Sequence, residues 1–376
     1  MKIVFLCSCL EPGRDGVGDY TRRLASELIR QGHFSTVLSL NDKYISDKYC
    51  NIQHSEGIDL PVLRLPAIWA MKIRLNHAKK YIDDFDPDWL SLQFVIFGFH
   101  PKGLPIGLGS QLAFLGTGRR WHIMFHELWV QVRVKFTLKF YLWGKFQYLL
   151  IKSLISDLKP KIIHTQTHLY QHQLAKLGFD NKYLPLFSNI PKIYKEHEEL
   201  NPNQPLKLRK AITFVLFGSI HPNAPVEDFI EDVSAYATKN GVKMTLIIVG
   251  RCGVRQEYWS KLWESAGMYV NILGEQSVDI ISKILRTASI GISTTPVLQI
   301  EKSGAVAAMR ENGLPVICVA YPWQPKEFKE IPAPSGVITY KKGNLDELFE
   351  ITLDIPVANG VNDICDQFIT ALLASV

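Results

Sequence analysis

The stretch from Ser289 to Val319, SIGISTTPVLQIEKSGAVAAMRENGLPVICV, constrains this chain more than any other. It opens with a short apolar run, Ile290–Ile292, and passes through the loop Ser293-Thr294-Thr295-Pro296. A segment of helical character, Glu301–Glu311, is stopped by Asn312-Gly313-Leu314-Pro315, and a second apolar run covers Val316–Val319. Strand, loop, helix, tight turn and strand make one βαβ unit, whose strands lie parallel in one sheet. Lys302, Ser303 and Gly304 then fall at the helix start, where free backbone N–H groups and the positive end of the helix dipole favour an anion. Gly304 has no side chain to block an approaching phosphate, Lys302 adds a charge, and Glu301 is a carboxylate able to bind hydroxyls. A phosphate cradle beside a hydroxyl-binding acid suits a nucleotide sugar. The same pattern also fits an ordinary βαβ unit with solvated Glu301 and Lys302.

At 376 residues the chain exceeds one ordinary core, so two domains of similar size are expected. The net charge of +6 fits a phosphate-bearing substrate or an anionic surface and is too weak to argue for nucleic acid. Six cysteines show no CxxC pair, and Cys7 and Cys9 read as buried thiols on a strand, reduced in a reducing cytoplasm. The N-terminal MKIVFLCSCLEPGRDG runs straight into a glycine loop and reads as a first strand rather than a signal peptide. No uncharged apolar run is long enough to span a bilayer, so the protein is expected to be cytoplasmic, either soluble or lying on a membrane surface.

In chain order, Lys2–Cys9 reads as a buried strand, Glu11–Gly18 as a glycine-rich turn, and Tyr20–Gln31 as an amphipathic helix. Gly13, Gly16 and Gly18 have the wrong spacing for the dinucleotide fingerprint, so Gly16-Val17-Gly18 fits either a tight turn or a ligand loop. Asp83-Asp84-Phe85-Asp86-Pro87-Asp88 reads as helix-to-strand punctuation rather than a metal cluster. His126, after the strand His122–Phe125, can donate to a sugar hydroxyl or phosphate, or be satisfied within its loop. His164, His168 and His172, four apart, cross a strand end and a helix and make a poor zinc site. From Arg133 to Lys161 basic residues (Arg133, Lys135, Lys139, Lys145, Lys152) alternate with Phe136, Phe140, Tyr141, Trp143, Phe146 and Tyr148. That segment suits an anionic bilayer surface, and equally a core helix with snorkelling lysines. The polar run EHEELNPNQPLKLRK is the expected linker, giving domains of 1–190 and 191–376, with the last helix able to pack back on the first. From Ile212 a new alternation of strands and helices predicts a second doubly wound parallel sheet.

These residues together resemble the GT-B glycosyltransferases, in particular the retaining enzymes of family 4, over nearly the whole chain. Asp15-Gly16-Val17-Gly18-Asp19-Tyr20 is similar to the family's N-terminal glycine loop, and Asp86-Pro87-Asp88 with Leu92-Gln93 to its helix-to-strand turn. His126-Glu127 falls where the family carries its active-site histidine. Leu273-Gly274-Glu275 and Thr294–Pro296 match the loops that flank the nucleoside, and Glu301 through Gly313-Leu314-Pro315-Val316 resembles the block that holds the donor sugar. The departures are specific. The family's Arg and Lys diphosphate clamp is absent from Phe217-Gly218-Ser219-Ile220-His221-Pro222, and its second glutamate corresponds to Met309, with Glu311 displaced around the helix. His221, Arg251 and Lys302 are the candidate replacements for the missing charge.

The resemblance implies an α/β fold of two doubly wound Rossmann-like domains flanking a cleft. It implies transfer of a sugar from a nucleotide diphosphate sugar, with retention and without metal or resident cofactor, and the basic aromatic stretch Arg133–Lys161 suggests a glycan or lipid-linked acceptor in cell-surface glycoconjugate synthesis. The expected catalytic residues are His126 and Glu301. The expected donor-binding residues are Gly16, Val17, Gly18, Gly218, Ser219, His221, Arg251, Gly274, Glu275, Lys302, Ser303 and Gly304. Two other functions fit the same fold: a sugar-nucleotide epimerase, and a degenerate sugar-binding protein, which the lost clamp favours and the retained His126 and Glu301 disfavour.

Overall fold

A computed structural model describes residues 1–130, 138–193, 205–323, 332–350 and 359–375. Arg133, Lys135 and Phe136, and the polar run as far as residue 204, lie outside these. The chain forms two compact units, Met1–Pro185 with Val361–Val376, and Leu186–Gly360.

The first unit begins β1 (Lys2–Cys7), α1 (Gly16–Arg30), β2 (Phe34–Asp42), β3 (Tyr49–Ser55), β4 (Ile58–Pro66), α2 (Met71–Phe85) and β5 (Trp89–Phe94). It continues with α3 (Ile96–Phe99), α4 (Leu108–Leu115), β6 (Arg120–Phe125), α5 (Leu138–Leu158), β7 (Ile162–Thr165), α6 (His168–Lys176) and β8 (Lys182–Tyr183). The second unit runs β9 (Ala211–Phe217), α7 (Val226–Asn240), β10 (Lys243–Val249), α8 (Gln256–Ser265), β11 (Tyr269–Gly274), α9 (Val278–Thr287) and β12 (Ile290–Ser293). It closes with α10 (Gly304–Glu311), β13 (Val316–Cys318), β14 (Val337–Thr339) and α11 (Leu345–Glu350), after which α12 (Val361–Leu373) belongs to the first unit.

The sheet of the second unit has the order β11-β10-β9-β12-β13-β14, every neighbouring pair parallel. Numbered from its own first strand this is 3-2-1-4-5-6, the doubly wound Rossmann order, whose switch point lies between β9 and β12. The first sheet is ordered β3-β4-β2-β1-β5-β6-β7-β8 and has the same 3-2-1-4-5-6 middle, with its switch point between β1 and β5. Its edge strand β3 is antiparallel to β4. Parallel strands read as continuous apolar runs because helices cover both faces. In the second unit one face packs the aromatic cluster Phe214, Phe229, Trp259, Trp263 and Phe349, and the other packs Val215, Val249, Leu285, Met309 and Val316.

Candidate functional site

In an open doubly wound sheet a ligand sits beyond the carboxyl ends of the strands, at the switch point. In the second unit Gly218, Gly250 and Gly274 stand at the carboxyl ends of β9, β10 and β11, with φ of +80°, +88° and +64°. This is the left-handed region, which L side chains enter at a cost of about 1–2 kcal/mol, so three adjacent strands turn sharply and leave their backbones bare. The turns are tied together: the Gly250 N–H donates to Gly274 O at 2.7 Å, and the Gly218 N–H to Val249 O at 3.4 Å. Across the switch point the His221 N–H donates to Thr294 Oγ1 at 2.8 Å, fixing the loop after β9 to the loop after β12.

The segment after β12 differs from the continuous helix expected over Glu301–Glu311. Val297–Lys302 forms a 3-10 turn, and α10 begins only at Gly304 with Ser303 as its N-cap. Glu301 and Lys302 therefore precede the helix, both half-buried. The cap also corrects the expected anion donors. The Ser303 N–H already donates to Ile300 O at 3.0 Å, and Ser303 Oγ accepts from the Val306 N–H at 3.3 Å. Among the described residues the N–H groups of Gly304 and Ala305 have no hydrogen-bond acceptor, so they, not Ser303, form the open end. A Cβ added at Gly304 would meet nothing within 4 Å, whereas one at Gly218 would lie 3.3 Å from the Ala305 Cβ. The turn after β9 is thus packed against the start of α10. Exposed Arg251, following Gly250, pairs with exposed Glu275 at 3.4 Å, so a cation is held over the ends of β10 and β11. The result is a bare backbone edge with an open helix start, one guanidinium and one lysine, which is chemistry for a phosphate group.

In the first unit Gly16, Val17 and Gly18 do not form a loop. They are the first turn of α1, and Asp15 caps it, Oδ1 accepting from the Val17 N–H at 3.0 Å and the Gly18 N–H at 2.8 Å. The Val17 and Gly18 N–H groups are thereby satisfied within the chain. Gly18 has a packing reason to lack a side chain, since its Cβ would fall 2.6 Å from Cys9 O. Burial pushes the Asp15 carboxyl above its usual value against the pull of those two N–H groups.

His126 follows β6 and is buried. Its Nε2 is 2.9 Å from Gln93 Oε1 and its Nδ1 is 2.7 Å from Gln166 Nε2, and the Tyr20 ring meets it edge-on at 4.9 Å. Burial lowers its pKa to about 3, so the ring is neutral. Gln93 was read only as part of the helix-to-strand match, and Gln166 was missed; Gln93 alternates with Ser91 on β5, and Gln166 directly follows β7.

The remaining motifs are structural. Asp86 caps α2 with φ +49°, Asp83 and Asp86 pair with Arg119, and Asp88 accepts from the Lys2 N–H at 2.8 Å. His168 starts α6 and stacks on Tyr183, while His164 lies in β7. Met309 is fully buried, and the Glu311 carboxylate accepts from the Ser188 N–H at 3.0 Å, which occupies it away from the loops described above. In α5 the buried face is Gly144, Gln147, Ile151, Leu154, Ile155 and Leu158, and Phe140, Tyr141 and Phe146 are exposed. No helix among the described residues is long and apolar enough to cross a membrane.

No family model and no curated protein sequence matches the chain. Solved structures do. HepE of Anabaena, in complex with UDP and glucose, superposes with a TM-score of 0.59 at 15% identity over the whole of both chains. UDP-GlcNAc 2-epimerase of Neisseria meningitidis, bound to UDP-GlcNAc, gives 0.57 at 12% identity, again over the whole of both. The lipopolysaccharide outer core galactosyltransferase WaaB, in its apo form, gives 0.53 at 12% identity with the same coverage. Identities this low establish the architecture: the chain has the GT-B fold, two Rossmann-like domains in sequence.

Proposed function

We propose that this protein is a glycosyltransferase that moves a sugar from a nucleoside diphosphate sugar to a glycan or lipid-linked acceptor. The observation that carries the reading is the open start of α10, where the Gly304 and Ala305 N–H groups lie beside the bare turn at Gly218. That start stabilises the charge developing on a departing diphosphate without needing a metal ion. Lys302 and Arg251 supply the charge that the family's missing clamp would give, Glu301 holds sugar hydroxyls, and the loops at Ser219, His221, Gly274 and Glu275 border the nucleoside. His126 is the catalytic candidate of the first unit. The nucleotide ligands of HepE and of the Neisseria epimerase, on the same fold, agree with this chemistry. Retention and membership of family 4 belong to the same proposal and rest on the motif resemblance.

The acceptor side of the proposal uses α5. Phe97, Trp143 and Phe140 make a contiguous aromatic surface, with ring centroids 6.2 Å and 5.8 Å apart, and Leu142 and Leu149 are also exposed. With Lys139, Lys145 and Lys152 on the same helix, this surface fits the anionic cytoplasmic face of a membrane that carries a lipid-linked acceptor.

A second reading, a nucleotide-sugar epimerase, is favoured by the match to the Neisseria enzyme. Saturation-transfer NMR against UDP-, GDP-, dTDP- and ADP-sugars, without and then with magnesium, tests the donor site. One clear binder identifies the nucleotide, and labelled donor then separates the readings: epimerisation without acceptor supports the second, acceptor-dependent transfer the first. If no sugar nucleotide binds, both fail and the degenerate sugar-binding protein is what remains.

A further inference from the structure

The first unit holds a polar column where a doubly wound sheet ordinarily packs aliphatic side chains. Ser91 and Gln93 of β5, His122 of β6, His164 of β7 and the flanking His126 and Gln166 are each less than one-tenth exposed. In register, Ser91 lies opposite His122, and Gln93 opposite Met124, which lies opposite His164, so alternate positions on three neighbouring strands share one face. Phe368 of α12 covers the column, its ring centroid 5.0 Å from that of His122 and 6.5 Å from that of His164.

The contacts form one unbroken chain. Gln166 Nε2 donates to His126 Nδ1 at 2.7 Å, so His126 carries its proton on Nε2 and donates it to Gln93 Oε1 at 2.9 Å. Gln93 Nε2 donates to Ser91 Oγ at 2.8 Å, leaving the one hydroxyl proton for His122 Nδ1, also at 2.8 Å. His122 must then be protonated on Nε2, which lies 3.0 Å from His164 Nδ1. Each amide and ring fixes the direction of its neighbour, because it has one donor and one acceptor in play, whereas the Ser91 hydroxyl has one donor and two acceptor lone pairs. Two other arrangements therefore satisfy the links: the complete reversal, in which both amides flip and all three rings change tautomer, and one in which Ser91 Oγ accepts from both Gln93 Nε2 and His122 Nδ1, which reverses His122 and His164 and leaves His126 as it is. Any other partial reversal leaves two donors or two acceptors facing each other in a buried site.

We propose that Ser91, Gln93, His122 and His164 are positioning residues that act through this chain to hold the ring plane and the Nε2–H tautomer of His126. The proposal rests on the reading of His126 as a catalytic residue. Burial also holds all three histidines below their ordinary pKa, as a chain that cannot accept an extra proton requires.

The test uses the full-length protein labelled with 15N-histidine, whose ring-nitrogen shifts report tautomers without any substrate. The expected wild-type spectrum at pH 7 shows His122, His126 and His164 all as Nε2–H tautomers. Ser91→Ala removes the central link: His126 is expected to become a mixture of tautomers, and transfer kcat to fall by about tenfold while KM for the sugar nucleotide changes by less than about twofold. Ser91→Thr keeps the hydroxyl and is expected to restore both readouts. An unchanged His126 tautomer in Ser91→Ala, a protonated or mixed wild-type ring, or equal defects in the two variants would overturn the proposal. If the wild type shows no transfer at all, the catalytic reading of His126 fails while the tautomer measurements still decide whether the chain exists.

Discussion

At the scale of single residues, glycines separate architecture from recognition. Gly304 has open space around it and an ordinary helical backbone, so Gly304→Ala should leave stability unchanged or raise it by up to about 1 kcal/mol, because alanine favours a helix. The new methyl stands at the open end of α10, so sugar-nucleotide affinity should fall about tenfold, a loss of about 1.4 kcal/mol. Thermal melts and a binding titration on the same sample check both halves, and an unaltered affinity would remove α10 from the site. Gly18 and Gly16 make a contrasting pair. Gly18→Ala drives a Cβ against a backbone carbonyl and should cost about 1–3 kcal/mol, whereas Gly16→Ala meets nothing and should be neutral or slightly stabilising. Denaturant titration distinguishes them, and equal costs would contradict the packing role. The residues of the open helix start were legible in the sequence to within one position. Gly304 was named from its type and place, but Ser303 was given an N–H role that its own cap forbids, because a 3-10 turn before a helix leaves no signature separable from the helix. Of the amides that flank His126, Gln93 was read only within the Leu92-Gln93 match and Gln166 not at all, since a single Gln on or just after a strand gains meaning only when three strands align.

Among elements, the alternation of strand and helix revealed both doubly wound sheets, because apolar runs bounded by glycine fit little else. The start of α1 was misread for a physical reason. Two glycines in three residues have poor helix propensity, and only the Asp15 cap, with two N–H bonds to one oxygen, overrides them. Helix α5 posed the opposite difficulty, since its composition fitted a surface or a core equally well. The burial pattern carries both features: Gly144, Gln147, Ile151, Leu154, Ile155 and Leu158 point in, while Phe140, Tyr141 and Phe146 point out. On the proposed membrane reading, sedimentation with anionic phosphatidylglycerol vesicles should capture the protein and neutral phosphatidylcholine vesicles should not. Replacing Lys139, Lys145 and Lys152 together by Glu should abolish capture, since each basic residue near such a surface contributes about 1 kcal/mol and reversal doubles the loss. Capture that ignores lipid charge would mean that this helix meets something other than an anionic membrane.

For the molecule as a whole, the buried histidines make stability depend on pH with a fixed sign. In the folded state His126 titrates at about 3, His164 at about 4, and His122 well below its ordinary value, burial being the main cause in each. Lys182 adds to the depression at His164, and the two neighbouring histidines add to it at His122. The unfolded chain takes up these protons near pH 6.5, so below that the unfolded state binds more protons than the native one, and stability falls as pH falls. Each histidine contributes a slope of half of about 1.4 kcal/mol per pH unit at pH 6.5, rising towards the whole of it below, so moving from pH 6.5 to 5.5 should remove roughly 3 kcal/mol for the three, a large part of an ordinary folding free energy. Asp42, held low by Arg64 and backbone N–H groups despite its burial, has the same sign but acts only at lower pH. Asp15 and Asp19, raised by burial, oppose it there. The contribution is fully present above about pH 6.5, and histidines outnumber every other ionising group between there and pH 5.5. Thermal melts in steps of half a pH unit should show a Tm that is level from pH 8 to 7 and drops steeply below 6.5. Phe368→Ala, which uncovers His122 and His164, should lower the plateau and flatten the drop, because hydrated rings titrate nearer their free value. A Tm that stays level down to pH 5 would mean that these rings reach water in the folded protein, and the polar column would lose the dry surroundings that force it to choose one direction.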